Sequence, residues 1–295
     1  MTSVQRTLPT LRELLPDYCK AKKIKDSSKR RYESVLRVHF TDWQDRLVDV
    51  MSTPKFGEHC KQLGQTKGAA VVELIRGLIG ALIRYINAVY GLKLASPFDR
   101  LASAGLLPDR AKPRPRLLQV ESLPVWFAAL DRLEQRPRAY LLVTLLTGMR
   151  KNEVRGLTRR DVDLHELVLT APETKNGRSH SLPISEVLRS LLEPLCASLK
   201  PTDQVFSGVS ADHAAQMAQR AGAPKFMLHD LRKLLATTGQ KMGVTDAVMR
   251  RILNHTPPRT DVMYRHYVEL TTTDVADGLS RIQGQLLHLC RMRDD

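Results

Sequence analysis

Apolar residues recur at helical spacing through the first hundred positions of the chain. From Ala69 to Val89 they return every three or four residues, the pattern of an amphipathic helix that packs on a core. An earlier helix is expected to begin after the cap sequence Asp26-Ser27-Ser28. We therefore expect a bundle of four or five helices in this part of the chain.

The pattern changes after residue 105. Three prolines lie between Leu106 and Leu117 and cannot continue a helix, so residues 106–117 are expected to form an extended basic linker. A strongly apolar helix then ends at Gly148. An alternating segment from Asp161 to Thr170 predicts a strand, and an Asn-Gly turn predicts a hairpin that pairs it with the segment SHSLPI.

Helical spacing returns from Asp230 onward. One apolar stripe is predicted on a terminal helix, formed by Val275, Leu279, Ile282, Leu286 and Leu287. The expected fold class is thus mainly α with a small antiparallel sheet. We divide the chain into a helical domain (1–105), the linker (106–117), a second domain (118–268) and a tail helix (269–295).

The charge balance indicates the partner. The chain of 295 residues has 46 Lys and Arg against 31 Asp and Glu, a formal net charge of +15, which attracts polyanions such as nucleic acid. Its longest apolar stretch contains Glu73, Arg76 and Arg84, which predicts a core helix and no membrane span. Together with the absence of a signal-peptide pattern, this predicts a cytoplasmic, nucleoid-associated protein.

The four cysteines, at Cys19, Cys60, Cys196 and Cys290, are widely separated and form no CxxC pair. This spacing argues against a zinc cluster or a disulfide framework, and we expect buried, inert thiols. No phosphate-binding GxxxxGK[ST] loop and no carboxylate cluster with metal-site spacing occur either.

Four short segments of the second domain carry candidate chemistry. They are TGMRKNEVRGL, the hairpin tip ETKNG, LHDLRK and ILNHTPPRTDVMYRHY. Each one alone is weak, because such residues are more often surface or packing residues. Their chemically versatile side chains, in chain order, are Arg150, Lys175, His229, Arg232, His255 and Tyr264.

In this order and spacing the segments resemble the catalytic set of the tyrosine recombinase (phage integrase) family, with the His nine residues before the Tyr (264 − 255). The resemblance covers the second domain, includes the acidic Glu153, and departs only where Asn254 stands in place of the usual Gly. It implies a helical core-binding domain followed by a tyrosine-recombinase catalytic domain.

The resemblance implies that Tyr264 is the nucleophile for DNA strand cleavage, in preference to Tyr267 or Tyr140. Arg150 and Arg232 would bind the scissile phosphate, which agrees with the bidentate geometry and permanent charge of guanidinium groups. His255 would bind the same phosphate, His229 would position the site or act as base, and Lys175 would protonate the leaving 5′-hydroxyl.

The implied partners are double-stranded DNA with specific recombination sites, further copies of the chain in a synaptic homotetramer, and accessory DNA-bending or directionality factors. No cofactor, metal or membrane is implied. The tail helix could dock in cis or on a neighbouring protomer. A basic stretch in the first domain is the candidate phosphate-contacting surface: Lys20, Lys22, Lys23, Lys25, Lys29, Arg30 and Arg31.

Two other functions stay open at this point. A type IB topoisomerase resembles the same family in its chemistry but relaxes supercoils without a defined target. A catalytically silent DNA-binding protein could keep the fold, although the presence of all six candidate residues argues against it. Integration or excision of a phage or another mobile element is the role that we expect.

Overall fold

The computed structural model describes residues 7–109, 118–172, 179–255 and 270–291. The chain divides into two compact units, Met1–Arg114 and Pro115–Asp295, each with its own hydrophobic core. Residues 110–117 and 256–269 lie outside the described part. The finer division into 1–105, 106–117, 118–268 and 269–295 therefore stays a prediction.

The first unit is helical in its described part, and two short 3-10 turns, Thr41–Trp43 and Val48–Ser52, join its second and third helices. The longest helix matches the apolar pattern that predicted it and ends at Gly91, in a left-handed conformation. The helices are α1 (Leu11–Ala21), α2 (Asp26–His39), α3 (Pro54–Thr66), α4 (Ala69–Tyr90) and α5 (Pro97–Ser103).

The expected side-chain cap of α2 was wrong. The helix already begins at Asp26, its N-cap is Lys25, and no side chain bonds to its first amides. Asp26 instead lies in the first turn, where a carboxylate interacts favourably with the positive end of the helix dipole. The acidic residue thus favours the helix start from inside the helix.

The second unit is also mainly helical in its described part, which contains one small sheet. Its helices are α6 (Leu123–Leu130), α7 (Gln135–Thr147), α8 (Lys151–Arg155), α9 (Glu186–Cys196), α10 (Ala211–Arg220), α11 (Leu228–Lys241), α12 (Asp246–Ile252) and α13 (Thr272–Arg291). Its strands are β1 (Val162–Asp163), β2 (Val168–Ala171) and β3 (His180–Pro183).

The sheet is antiparallel with the order β1-β2-β3. The single strand expected from Asp161 to Thr170 is in fact two, because the chain turns between them and Leu167 takes a positive φ of 54°. The expected pairing with SHSLPI is confirmed, with Leu169 opposite Leu182 and Ala171 opposite His180. The Asn176-Gly177 turn itself lies outside the described residues.

Helix α7 is the central element of the second unit, and its end presents the loop that carries Arg150. All of its residues from Ala139 to Thr147 are buried. It ends at Gly148, whose φ of 62° suits glycine and strains any other residue. A Cβ atom at this glycine would lie 3.1 Å from the Leu253 side chain and 3.2 Å from that of Leu235. Gly148 therefore ends the helix and also allows α11 and α12 to approach it.

Helix α13 packs on its own unit, against α6, α7, α11 and α12. Four residues of the predicted apolar stripe, Val275, Leu279, Ile282 and Leu286, are buried, and the fifth, Leu287, is partly buried against the same core. Close approach requires Gly278, where a Cβ atom would lie 2.8 Å from the side chain of Val248 on α12. The tail thus belongs to the core of the second unit.

The four cysteines are free and buried, as expected. Burial raises the pKa of the Cys60 and Cys290 thiols to about 12. These two thiols are therefore protonated and unreactive at neutral pH. Among the described residues, no helix combines the length and apolar character that crossing a membrane requires.

We predict that Gly148→Ala destabilises the second unit by about 2–4 kcal/mol, because left-handed strain adds to overpacking against Leu235 and Leu253. The matched control is Gly243→Ala, after the end of α11. Its φ is also positive, at 70°, but its Cβ would meet nothing within 4 Å, so a loss of only about 1–2 kcal/mol is expected.

Urea unfolding in a Trp43→Phe background measures both values, because Trp126 then reports on the second unit alone. Equal losses for the two variants would contradict the packing part of the explanation.

Candidate active site

Arg232 lies at the centre of the site. It is only 6% exposed, and its two terminal nitrogens donate to the backbone oxygens of Gly148 and Leu253. One side chain on α11 therefore joins the loop after α7 to the end of α12. Burial, and then the positive charge of Arg150, lower the pKa of Arg232 to about 10, while Glu153 opposes the shift. The guanidinium thus stays charged at neutral pH.

Arg150 is oriented by Glu153. It is the N-cap of α8, and its backbone N–H and its Nη1 atom donate to the two carboxylate oxygens of Glu153, both at 2.9 Å. The carboxylate is 5% exposed, whereas the Arg150 side chain is 28% exposed. The buried carboxylate therefore holds both the backbone N–H and one terminal nitrogen of an arginine that still reaches solvent. The i,i+3 spacing on the first helical turn allows this contact.

The two candidate histidines belong to the same positive cluster. His229 lies in the first turn of α11 and His255 lies just after α12, and both are exposed. Partial desolvation of each ring lowers its pKa, and the charges of Arg232 and Arg150 lower it further. Both imidazoles are therefore expected to be neutral at neutral pH. These pKa shifts indicate that side chains from three of the four predicted segments lie near one another.

Asn254, the residue directly before His255, has a φ of 47°. This is the left-handed conformation, which glycine, the usual residue of the family at this position, adopts without strain. Asn adopts it more readily than other non-glycine residues. The departure from the family pattern therefore preserves the backbone that presents His255.

Lys175 and Tyr264, and the alternative Tyr267, lie outside the described residues, so their assignments stay predictions. Tyr140 is unsuited as the nucleophile. Its side chain is fully buried, its hydroxyl donates to the Lys151 oxygen at 2.9 Å, and burial raises its pKa to about 12.

Sequence reasoning missed one residue near this cluster. His180 is 1% exposed, and its Nε2 atom lies 3.0 Å from the Ile252 oxygen at the end of α12. The alternation of SHSLPI contained a signal, since it puts His180 on the same face as the buried Leu182. A buried imidazole needs a hydrogen-bond partner, which could not be identified from the sequence.

The basic residues of the first unit lie at the end of α1 and the start of α2. Six of the seven are exposed and Lys29 is half-buried. They form a solvated positive face whose contact with DNA stays a prediction. Among the described residues, no three His, Cys, Asp or Glu side chains gather into a group that could hold a metal ion.

Comparison with known proteins adds a family and a fold. Residues 117–270 match the model of the phage integrase family. Tyrosine recombinase XerA of Saccharolobus solfataricus is 27% identical over 139 residues, which are 45% of this chain and 47% of XerA. The chain therefore covers less than half of this relative's length.

Two solved structures have a similar fold. The Tn1549 transposon integrase in complex with circular intermediate DNA has a TM-score of 0.64 at 17% identity, and the match covers 92% of this chain and 98% of that one. A lambda integrase tetramer bound to a Holliday junction has a TM-score of 0.64 at 16% identity, over 90% of this chain and 82% of the other.

We predict that Arg150→Ala raises the pKa of both His229 and His255, because a neighbouring positive charge that disfavours the imidazolium is removed. NMR titration of the histidine rings measures the shift. Arg189→Ala, which removes a half-buried arginine paired with Glu193 on α9, is the control and should leave both values unchanged. Unchanged values in Arg150→Ala would mean that the cluster does not form in solution.

Proposed function

Because the chain belongs to the phage integrase family, we propose that it is a tyrosine recombinase that cuts and rejoins DNA through a covalent phosphotyrosine at Tyr264. The observation that carries the proposal is the set of bonds made by Arg232. They join the Arg150 loop, the HxxR helix and the segment before His255 into one positive cluster. A single phosphate diester is the ligand that fits such a cluster.

The first step of the proposed reaction is an in-line displacement at phosphorus. The Tyr264 oxygen forms a bond to phosphorus, its proton passes to His229, and the bond from phosphorus to the 5′ oxygen breaks. A free phenol has a pKa of about 10 and therefore needs a base to attack at neutral pH. The neutral state expected for His229 suits it to accept this proton.

The leaving 5′ oxygen needs a proton, and we assign its donation to Lys175. General acid catalysis of this kind typically contributes about 10²–10⁴-fold to the rate. Negative charge develops on the nonbridging oxygens, which Arg150, Arg232 and His255 would bind. Charged donors held in place before the reaction are usually the largest catalytic contribution, and Glu153 and the two backbone oxygens supply that rigidity here.

The product is a 3′-phosphotyrosyl enzyme and a free 5′-hydroxyl. Attack by the 5′-hydroxyl of a partner strand reverses the step and returns the proton to Tyr264. One phosphodiester bond is exchanged for another, so the balanced reaction needs no nucleotide as an energy source.

The similar structures support the finer proposals on substrate and assembly. One is the integrase of a transposon with circular intermediate DNA, and another is an integrase tetramer on a Holliday junction. We infer that this chain acts on recombination sites of a phage or another mobile element. We further infer that four copies assemble on the paired sites, with accessory DNA-bending or directionality factors as additional partners.

We predict that wild-type protein forms a covalent adduct with a pool of nicked DNA duplexes of randomised sequence, whereas Tyr264→Phe does not. Because of the nick, strand cleavage releases a short strand that carries the 5′-hydroxyl. Its loss prevents religation. Denaturing gel electrophoresis detects the adduct, and sequencing of the trapped duplexes identifies the target. Tyr267→Phe is the matched control and should still form the adduct.

An adduct with Tyr264→Phe would show that the nucleophile is assigned wrongly. A wild-type protein that forms no adduct with any duplex of the pool would instead favour the catalytically silent DNA-binding protein. Relaxation of an arbitrary supercoiled plasmid as fast as one that carries the trapped sequence would favour the topoisomerase.

A separate prediction concerns the basic face of the first unit. Replacement of Lys22, Lys23 and Lys25 by Ala should weaken DNA binding. It should also reduce the slope of log affinity against log salt by about 0.9 for each phosphate that the protein no longer neutralises. The control is Lys55→Ala with Lys93→Ala, two exposed lysines elsewhere in the same unit. A salt titration of affinity measures both, and equal slopes in the two variants would contradict the proposed surface.

A further inference from the structure

His180 lies at the base of the β2–β3 hairpin, and Lys175 falls between these two strands in the sequence. It is the first residue of β3 and pairs with Ala171, the last residue of β2. The side chain is 1% exposed, so the ring lies inside the second unit. A polar ring in this environment costs free energy unless it is hydrogen-bonded. The hydrogen-bond partner of the His180 ring therefore indicates which element the ring holds in place.

The partner is the end of helix α12. The Nε2 atom of His180 lies 3.0 Å from the backbone oxygen of Ile252, the last residue of that helix. A carbonyl oxygen only accepts, so Nε2 must carry the hydrogen and donate it. The oxygen is one of the last four of the helix, which have no partner within the helix. The ring thus satisfies a backbone group that the helix leaves unpaired.

The next residues along the chain belong to the site. Leu253 accepts the bond from Arg232, and His255 lies three residues beyond Ile252. Two side chains from different elements therefore hold consecutive carbonyls: His180 from the sheet and Arg232 from α11. Together they fix the position and direction of the segment that presents His255.

The surroundings of the His180 ring favour its neutral form. Burial is the main cause that lowers its pKa, and the positive charges of Arg251 and Arg232 lower it further. The bond to Ile252 and the charge of Glu153 act in the opposite direction. A neutral imidazole supplies the hydrogen bond without adding a further positive charge beside Arg232.

We propose that His180 is a positioning residue, which fixes the end of α12 against the base of the hairpin so that Arg232 and His255 face the same phosphate. The catalytic part of this proposal rests on the proposed function. The coupling between His180 and His255 does not, and it is measurable in the protein without DNA.

Four variants isolate the hydrogen bond. His180→Leu keeps a similar bulk without a donor, and His180→Asn has a donor that is too short to reach the Ile252 oxygen. His180→Gln extends an amide N–H to about the position of Nε2. The matched control is Ser181→Ala, which removes the neighbouring 2.9 Å hydrogen bond between Ser181 and Thr170 and leaves the His180–Ile252 bond in place.

The first measurement is the pKa of His255, by NMR titration of the full chain without DNA. Partial burial lowers this value, Arg232, Arg150 and Arg250 lower it further, and Asp246 raises it. Loss of the His180 bond should let the ring move away from the two site arginines. Its pKa should then rise toward the ordinary value in the Leu and Asn variants, and stay near that of wild type in the Gln and Ser181→Ala variants.

The second measurement separates chemistry from binding, on the duplex sequence trapped from the random pool. In the Leu and Asn variants, the rate of adduct formation should fall by about 10–100-fold, the size of effect that is typical when a residue that orients a metal-ligating side chain is lost. DNA affinity should change by less than about two-fold, since the phosphate charges are still bound by the same Lys and Arg side chains. The Gln variant should recover most of the rate.

If His180 had only a structural role, adduct formation would be as slow in the Gln variant as in the Leu variant, or as slow in Ser181→Ala as in either. These outcomes would overturn the proposal, as would a His255 pKa that does not respond to loss of the donor. Should the Leu variant not fold, the Asn variant carries the same comparison. If wild type forms no adduct but the His255 pKa follows the variants as described, the proposed function fails and the positioning role stands.

Discussion

The second unit depends on one buried cation and the two backbone oxygens that hold it. Removing a guanidinium from water costs several kcal/mol unless charge-assisted hydrogen bonds replace the lost hydration. Arg232 meets this condition through Gly148 and Leu253, which are 84 and 21 residues away in the sequence. The same bonds fix where the charge lies. Because the pKa stays near 10, the cost of burial does not remove the charge at neutral pH.

These oxygens are available because of where two helices end. The last carbonyls of a helix have no partner inside it and form the negative end of its dipole. At the end of α7, Gln283 donates to Leu146 at 2.8 Å and Arg232 donates to Gly148. At the end of α12, His180 and Arg232 donate to successive residues. Side chains from the sheet, α11 and α13 thus satisfy both helix ends and join them.

This arrangement explains how like charges can be kept together. The charge of Arg150 lowers the pKa of Arg232, and both arginines lower the pKa of the two site histidines. Glu153 offsets part of the repulsion, since its buried carboxylate bonds to Arg150. The negative charge of a phosphate diester would offset the remaining repulsion. The groups that bind it would need no rearrangement.

Much of the fold could be predicted from the sequence. The apolar period predicted α4 and the stripe on α13, and the alternation of SHSLPI predicted the pairing of β2 and β3. Predictions failed where local propensity and local geometry disagree. A turn at Leu167 divided the expected strand, and Lys25 replaced a side-chain cap on α2. Short-range patterns record which face is buried, but they do not record where a backbone bends.

The sequence by itself determined which candidate side chains the chain carries and their order: Arg150, then Lys175, the HxxR pair, His255 and Tyr264. Residue types and spacing are fixed by the covalent chain, so they do not depend on where helices and strands are predicted to lie. Only the tertiary structure decided which carbonyls hold Arg232 and that His180 supports the end of α12. These contacts join residues up to 84 positions apart, and long-range pairing arises from packing, which no local pattern encodes.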